Sequence, residues 1–176
     1  TSTVQIGFVA GTVTSALLGL ADRLDPRRFF MASALVAALA NALLLVVAPA
    51  SALVFVLRFV TGACMAGIYP VGMKMAVSWA RDDVGLLMGM LVAALTLGSA
   101  APHLFNAFGG VDWQFTLLAA SALALLSALL INLVGLGPNL APAPRFSPGV
   151  ALQAFRRPAL RWANFGYLGH MWEIYA

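Results

Sequence analysis

Five long apolar runs constrain this chain more than any other feature. They span Val4–Ala21, Phe29–Val47, Ala52–Met73, Val84–Phe108 and Trp113–Leu136, and a sixth starts near Arg161 and continues to Ala176. A helix gains about 1.5 Å per residue, so about 20 apolar residues cross a hydrocarbon core about 30 Å thick. Lipid offers no partner for a free backbone N–H, so runs of this length are expected to be helices. Hydrophobic residues make up 62% of the chain and charged residues 9%, against about 25% charged in a typical soluble domain. A soluble all-α domain with a very apolar core is the alternative, but so few charges would leave its surface uncovered. The chain starts without Met and stops inside an apolar run, so it is expected to be a piece of a larger membrane protein. The rest of that polypeptide and the membrane lipids would be its first partners.

The connections sort the charge. Residues 22–28 and 74–83 are charged, residues 48–51 and 109–112 carry no basic residue, and residues 137–160 form a longer linker containing five prolines. Nine of the ten basic residues lie in or beside the first, third and fifth connections; the tenth, Arg58, lies inside a run. Basic residues collect on the cytoplasmic side of membranes, so loops 22–28, 74–83 and 137–160 are expected in the cytoplasm and the first residue outside. On this reading the net charge of +4 reports topology, and no nucleic-acid partner is expected. The single cysteine, Cys64, excludes an internal disulfide.

The first connection, "LADRLDPRR" (residues 20–28), holds five of the chain's sixteen charged residues. Orientation needs only its arginines, so Asp22 and Asp25 need another reason. The stretch resembles the signature loop of the major facilitator superfamily, G-x-L-A-D-R-x-G-R-R, through Leu20, Ala21, Asp22, Arg23, Arg27 and Arg28. It departs at two places. Leu18 stands where the leading glycine belongs, with Gly19 one place late, and Asp25-Pro26 replaces the inner glycine with another good turn former. "RFVTG" (residues 58–62) resembles the family's fourth-helix pattern of an intramembrane Arg with Gly four residues on. Gly89 and Gly98 match part of a fifth-helix antiporter pattern, but Pro102-His103 stands in place of its final Gly-Pro. The resemblance covers nearly the whole chain, as helices two to six and the start of seven.

It implies an all-α integral membrane bundle of the MFS type, with five complete spans and a truncated sixth. Residues 1–136 would belong to the N-terminal six-helix half, residues 137–160 would be the central cytoplasmic linker, and residues 161–176 would start the C-terminal half. It also implies a secondary transporter working by alternating access. Asp22 would latch the inner side against a helix N-terminus of the other half, a contact of roughly 0.3–1 kcal/mol and therefore breakable, with Arg23, Arg27 and Arg28 completing the gating loop.

Inside the spans, Arg58 is the most telling residue. It lies about seven residues, or roughly 10 Å, into its run, and a central Arg costs about 2.5–3.5 kcal/mol to insert. It either meets an anionic group or a coupling acid, or snorkels to the outer interface. In the last run, Tyr167, His170 and Glu173 recur every third residue, on one helix face. His170 falls near the midplane, where an imidazole–carboxyl pair suits proton coupling or solute contact, or else hydrogen bonding between helices. Two such groups do not make a metal site, so no metal and no cofactor is expected. Thr96, Ser99, His103 and Asn106 form one polar stripe that either lines a cavity or joins helices. Gly62, Gly85, Gly89 and Gly98 are expected to serve close helix packing, as are Gly67 and Gly72. The methionines fill gaps, and Trp79, Trp113 and Trp162 anchor interfaces.

The expected function is proton-coupled transport, symport in type, of a small anionic or polar solute across a cell (inner) membrane. A non-transport subunit or receptor on the same scaffold is the alternative. An enzyme would need a nucleophile–base pair or a full metal set, and neither is legible.

Overall fold

Each expected run folds as a helix, and local chemistry sets where each one ends. The computed structural model describes residues 2–107, 112–140 and 156–175, with side chains at all of these except 102, 105–107 and 167–175. The helices are α1 (Ser2–Leu18), α2 (Leu20–Arg23), α3 (Pro26–Leu43), α4 (Ala52–Val77), α5 (Val84–Ala107), α6 (Trp113–Leu130) and α7 (Pro158–Tyr175), with a 3-10 turn at Ile131–Leu133. No strand occurs among the described residues.

The first run does not continue to Ala21. Gly19 takes φ 63° and ψ 35°, a left-handed conformation that glycine adopts without cost and that ends helices. The chain restarts for one turn as α2. Asp25 then caps α3, its carboxylate accepting from the backbone N–H of Arg27 at 2.9 Å and of Arg28 at 3.2 Å. Pro26 occupies the first helical position, where its missing N–H costs nothing. Helix α3 therefore starts three residues before the expected Phe29. Ser51 caps α4 through the Leu53 N–H, and Asp112 caps α6 through the Gln114 N–H. Pro158 similarly opens α7, ahead of the expected Arg161.

Among the described residues, three helices are long and apolar enough to cross a membrane: Ala52–Val77, Val84–Ala101 and Trp113–Leu133. Helix α1 is apolar but spans 17 residues. Helix α3 is diluted by Arg27 and Arg28 in its first turn and by Asn41. Helix α4 runs four residues past Met73, so Lys74 belongs to its last turn rather than to a loop.

The chain forms two units, Thr1–Pro142 and Ala143–Ala176. In the first, α4 lies between α1 and α3, and α3 packs in turn on α6. Small residues make these contacts possible. A Cβ on Gly7 would overlap the Phe59 carbonyl, one on Gly62 the Val4 carbonyl, and one on Gly67 the Ser33 hydroxyl. The α3 face holding Ser33, Ala34, Ala37, Ala38, Ala40 and Asn41 is buried. Ala40, Leu44 and Leu57 form the apolar centre, flanked by Val54, Val60 and Leu117. Helix α5 touches α4 lightly and buries none of its described side chains. The second unit contains α7, where the Arg161 guanidinium lies 5.4 Å from the Trp162 ring centre and Phe165 meets that ring edge-on.

Candidate functional site

The turn at residues 19–28 is built by three local devices. The left-handed Gly19 ends α1, and its carbonyl receives the N–H groups of Asp22 and Arg23 at 3.1 and 3.0 Å, which winds α2. This turn projects the Asp22 carboxylate towards the last turn of α4, where it forms an ion pair with Lys74. The same ammonium lies 3.4 Å from the Ala21 carbonyl. Both side chains of the pair are about a quarter exposed, at 26% and 24%. Lys74 also suits its position, because a cation near a helix C-terminus interacts favourably with the helix dipole.

Asp25 has a different task. Its capping bond from the Arg28 N–H holds its carboxyl below the usual carboxylate range against a smaller opposing effect of burial, with the Arg27 N–H and guanidinium adding to the lowering. The Arg27 guanidinium lies 3.6 Å from it. Arg23 and Arg28 are exposed and have no carboxylate partner among the described residues.

A second set of contacts joins this end of the bundle. Past the 3-10 turn, the chain folds back onto the end of α4. The Gly137 N–H donates to the Ser78 hydroxyl at 3.0 Å, and Asn139 donates its backbone N–H to the Ser78 carbonyl and its side-chain amide to the Ala80 carbonyl. The Trp79 indole donates to the Gly135 carbonyl at 3.0 Å. A Cβ on Gly137 would overlap the Ser78 carbonyl. Residues 137–140, the start of the expected linker, thus pack on the end of α4 within the first unit.

The intramembrane residues are distributed as follows. Arg58 is half-buried on α4, two turns beyond the Ser51 cap, and forms no ion pair among the described residues. On α5, Thr96, Ser99 and His103 are exposed. The Thr96 and Ser99 hydroxyls donate to the Val92 and Thr96 carbonyls within the helix. The side chain of Asn106 lies outside the described residues, as do those of Tyr167, His170 and Glu173, whose backbone lies in α7. A Cβ on Gly85, Gly89 or Gly98 would meet nothing within 4 Å. No cluster of three His, Cys, Asp or Glu suited to a metal occurs among the described residues.

Sequence reasoning missed four features. Lys74 was legible only as a topological charge, not as the partner of Asp22. Gly7 and Gly11 repeat the G-x-x-x-G spacing that singles out Gly85 and Gly89, and both press on α4. Asn41 donates to the Leu117 carbonyl at 3.1 Å and to the Ser121 hydroxyl at 3.0 Å, a buried polar link between α3 and α6. Ser78 looked like an ordinary loop residue but is the anchor of the docked segment, and no periodic signal marks it.

The Major Facilitator Superfamily model matches residues 1–175. The chain belongs to this superfamily. It is accordingly part of an integral membrane transporter, and α4, α5 and α6 are membrane helices by length, composition and family. No curated protein and no solved structure gives a significant match.

Proposed function

We propose that the chain is part of a secondary transporter of the major facilitator superfamily that moves a small anionic or polar solute by alternating access, driven by protons in symport. The observation that carries the solute class is Arg58, a half-buried cation on a membrane helix with no carboxylate partner among the described residues. An uncompensated arginine at that depth is costly, and an anionic solute would supply the missing countercharge. Glu173 and His170 are the proton-coupling groups in this reading. Tyr167 and His103 assist solute contact.

The inner-side gate is the Asp22–Lys74 pair with the arginines of the same turn. The pair lies at one end of the bundle together with the contact between residues 78–80 and 135–139. Two basic connections, residues 22–28 and 74–83, meeting at one end support a cytoplasmic face there, with the protein in a cell (inner) membrane. In this scheme Asp22 exchanges Lys74 for the helix N-terminus of the other half as the gate cycles.

The test is uptake of labelled small anions by the intact protein, with and without an uncoupler. Substituting Arg58→Gln should abolish anion uptake at normal expression. Normal uptake by that variant would remove Arg58 from the solute path. Stimulation of wild-type uptake by the uncoupler would remove proton symport.

A further inference from the structure

Helices α1, α3 and α4 leave an open groove of 360 Å³ between them, lined by Ala10, Gly11, Thr14, Phe59, Ala63 and Cys64, with Leu20 and Phe29 at one end and Gly67 and Ser33 on its floor. No charged residue lines it. An ionic solute would find no countercharge there, and the small hydroxyl residues offer few donors for a sugar-like one. The groove is therefore a surface for an apolar occupant.

Its ends decide which. Along α1 it runs from Ala10 to Ser15, with Leu20 of α2 beyond the helix break, and along α4 from Phe59 to Gly67, or about 12 Å of α4 at helical rise. An acyl chain that spans one leaflet of a hydrocarbon core about 30 Å thick is long enough to fill it. Its Leu20–Phe29 end reaches the basic turn. Arg23 stands three residues after Leu20 on α2 and so shares its face, and Arg28 directly precedes Phe29. Both are exposed and have no carboxylate partner among the described residues, whereas Arg27 and Lys74 are held by Asp25 and Asp22.

We propose that this groove holds one acyl chain of an acidic phospholipid, with its phosphate at Arg23 and Arg28. A headgroup with net negative charge complements these two guanidinium groups, which have no carboxylate partner among the described residues. A zwitterionic headgroup carries its own ammonium and gains less. The inference requires the basic turn to lie at a bilayer surface but depends neither on the solute nor on proton coupling, so transport assays and lipid assays can fail separately.

The experiment is native mass spectrometry of the intact protein in detergent, titrated with phosphatidylglycerol or with phosphatidylcholine. Each arginine near an anionic headgroup contributes about five-fold, so the wild type should retain phosphatidylglycerol roughly 25-fold better. The double variant Arg23→Gln/Arg28→Gln should retain both lipids equally. Thr14→Trp, which places an indole in the groove from an exposed position, should lower retention of phosphatidylglycerol at least ten-fold with unchanged helix content. The wild-type protein supplies an independent readout if a variant misfolds. Cys64 lines the groove, so phosphatidylglycerol should slow its reaction with N-ethylmaleimide about ten-fold, and phosphatidylcholine at the same concentration much less. Equal retention of the two lipids by the wild type would overturn the proposal. So would wild-type retention by Thr14→Trp, or no protection of Cys64.

Discussion

At the scale of single residues, the two aspartates of the basic turn do separate work, and pH tells them apart. Asp25 accepts two backbone N–H groups at the head of α3, and losing such a cap costs about 1 kcal/mol. Its folded pKa is depressed, so its contribution is complete above the unfolded value, about 3.9, and is lost as pH falls through the folded value. Asp25→Asn should keep the cap, since Asn caps as well as Asp, while removing this acid sensitivity. Asp25→Ala should lower stability at every pH. Acid titration of thermal unfolding in detergent separates the three proteins. Asp22 holds Lys74. Asp22→Asn is expected to leave unfolding nearly unchanged but to lower the transport rate about ten-fold or more, because a partly exposed pair contributes little stability yet sets which side of the gate is closed. The motif made Asp22 legible as a gate residue. It could not supply Lys74, which lies 52 positions away and becomes a neighbour only when α1 packs on α4.

At the scale of elements, apolar runs predict helices well because lipid leaves the backbone no other solution. They predict helix ends poorly, because ends are written in caps and turns. Gly19 stands one place late in the motif, and its displacement puts a left-handed residue where α1 stops. The close contact between α1 and α4 follows the same local logic. Gly7 and Gly62 each face a backbone carbonyl of the opposite helix with no room for a Cβ. Gly62→Leu should therefore separate the helices and abolish folded expression, well beyond the 1–3 kcal/mol usual for overpacking. Gly85→Leu, with open space around it, should express normally when this bundle alone sets the outcome. The α3–α6 link is gentler. After Asn41→Leu, the Ser121 hydroxyl still donates to the Leu117 carbonyl at 2.8 Å, so no buried group is orphaned. The expected loss is about 0.6 kcal/mol and at most about 2, read as a small shift in the unfolding midpoint.

At the scale of the whole molecule, the decisive quantity is the side of the membrane on which each connection lies. Residues 22–28, 74–83 and 134–140 share one end through Asp22–Lys74 and the Ser78, Trp79 and Ala80 contacts. Residues 48–51 lie one full helix away along α4, whose 26 residues extend about 39 Å. Such a separation exceeds a hydrocarbon core of about 30 Å, so the two ends of α4 must face different aqueous phases if this helix crosses the membrane. The basic residues choose which phase is which. In a Cys64→Ser background, an impermeant maleimide applied to intact cells should label Ser51→Cys, while Leu24→Cys should react only after the membrane is opened. Labelling of both from outside would place the arginine-rich turn and the Ser51 cap on one face. That would contradict the length of α4, whereas labelling of Leu24→Cys alone from outside would keep the length and contradict only the charge rule.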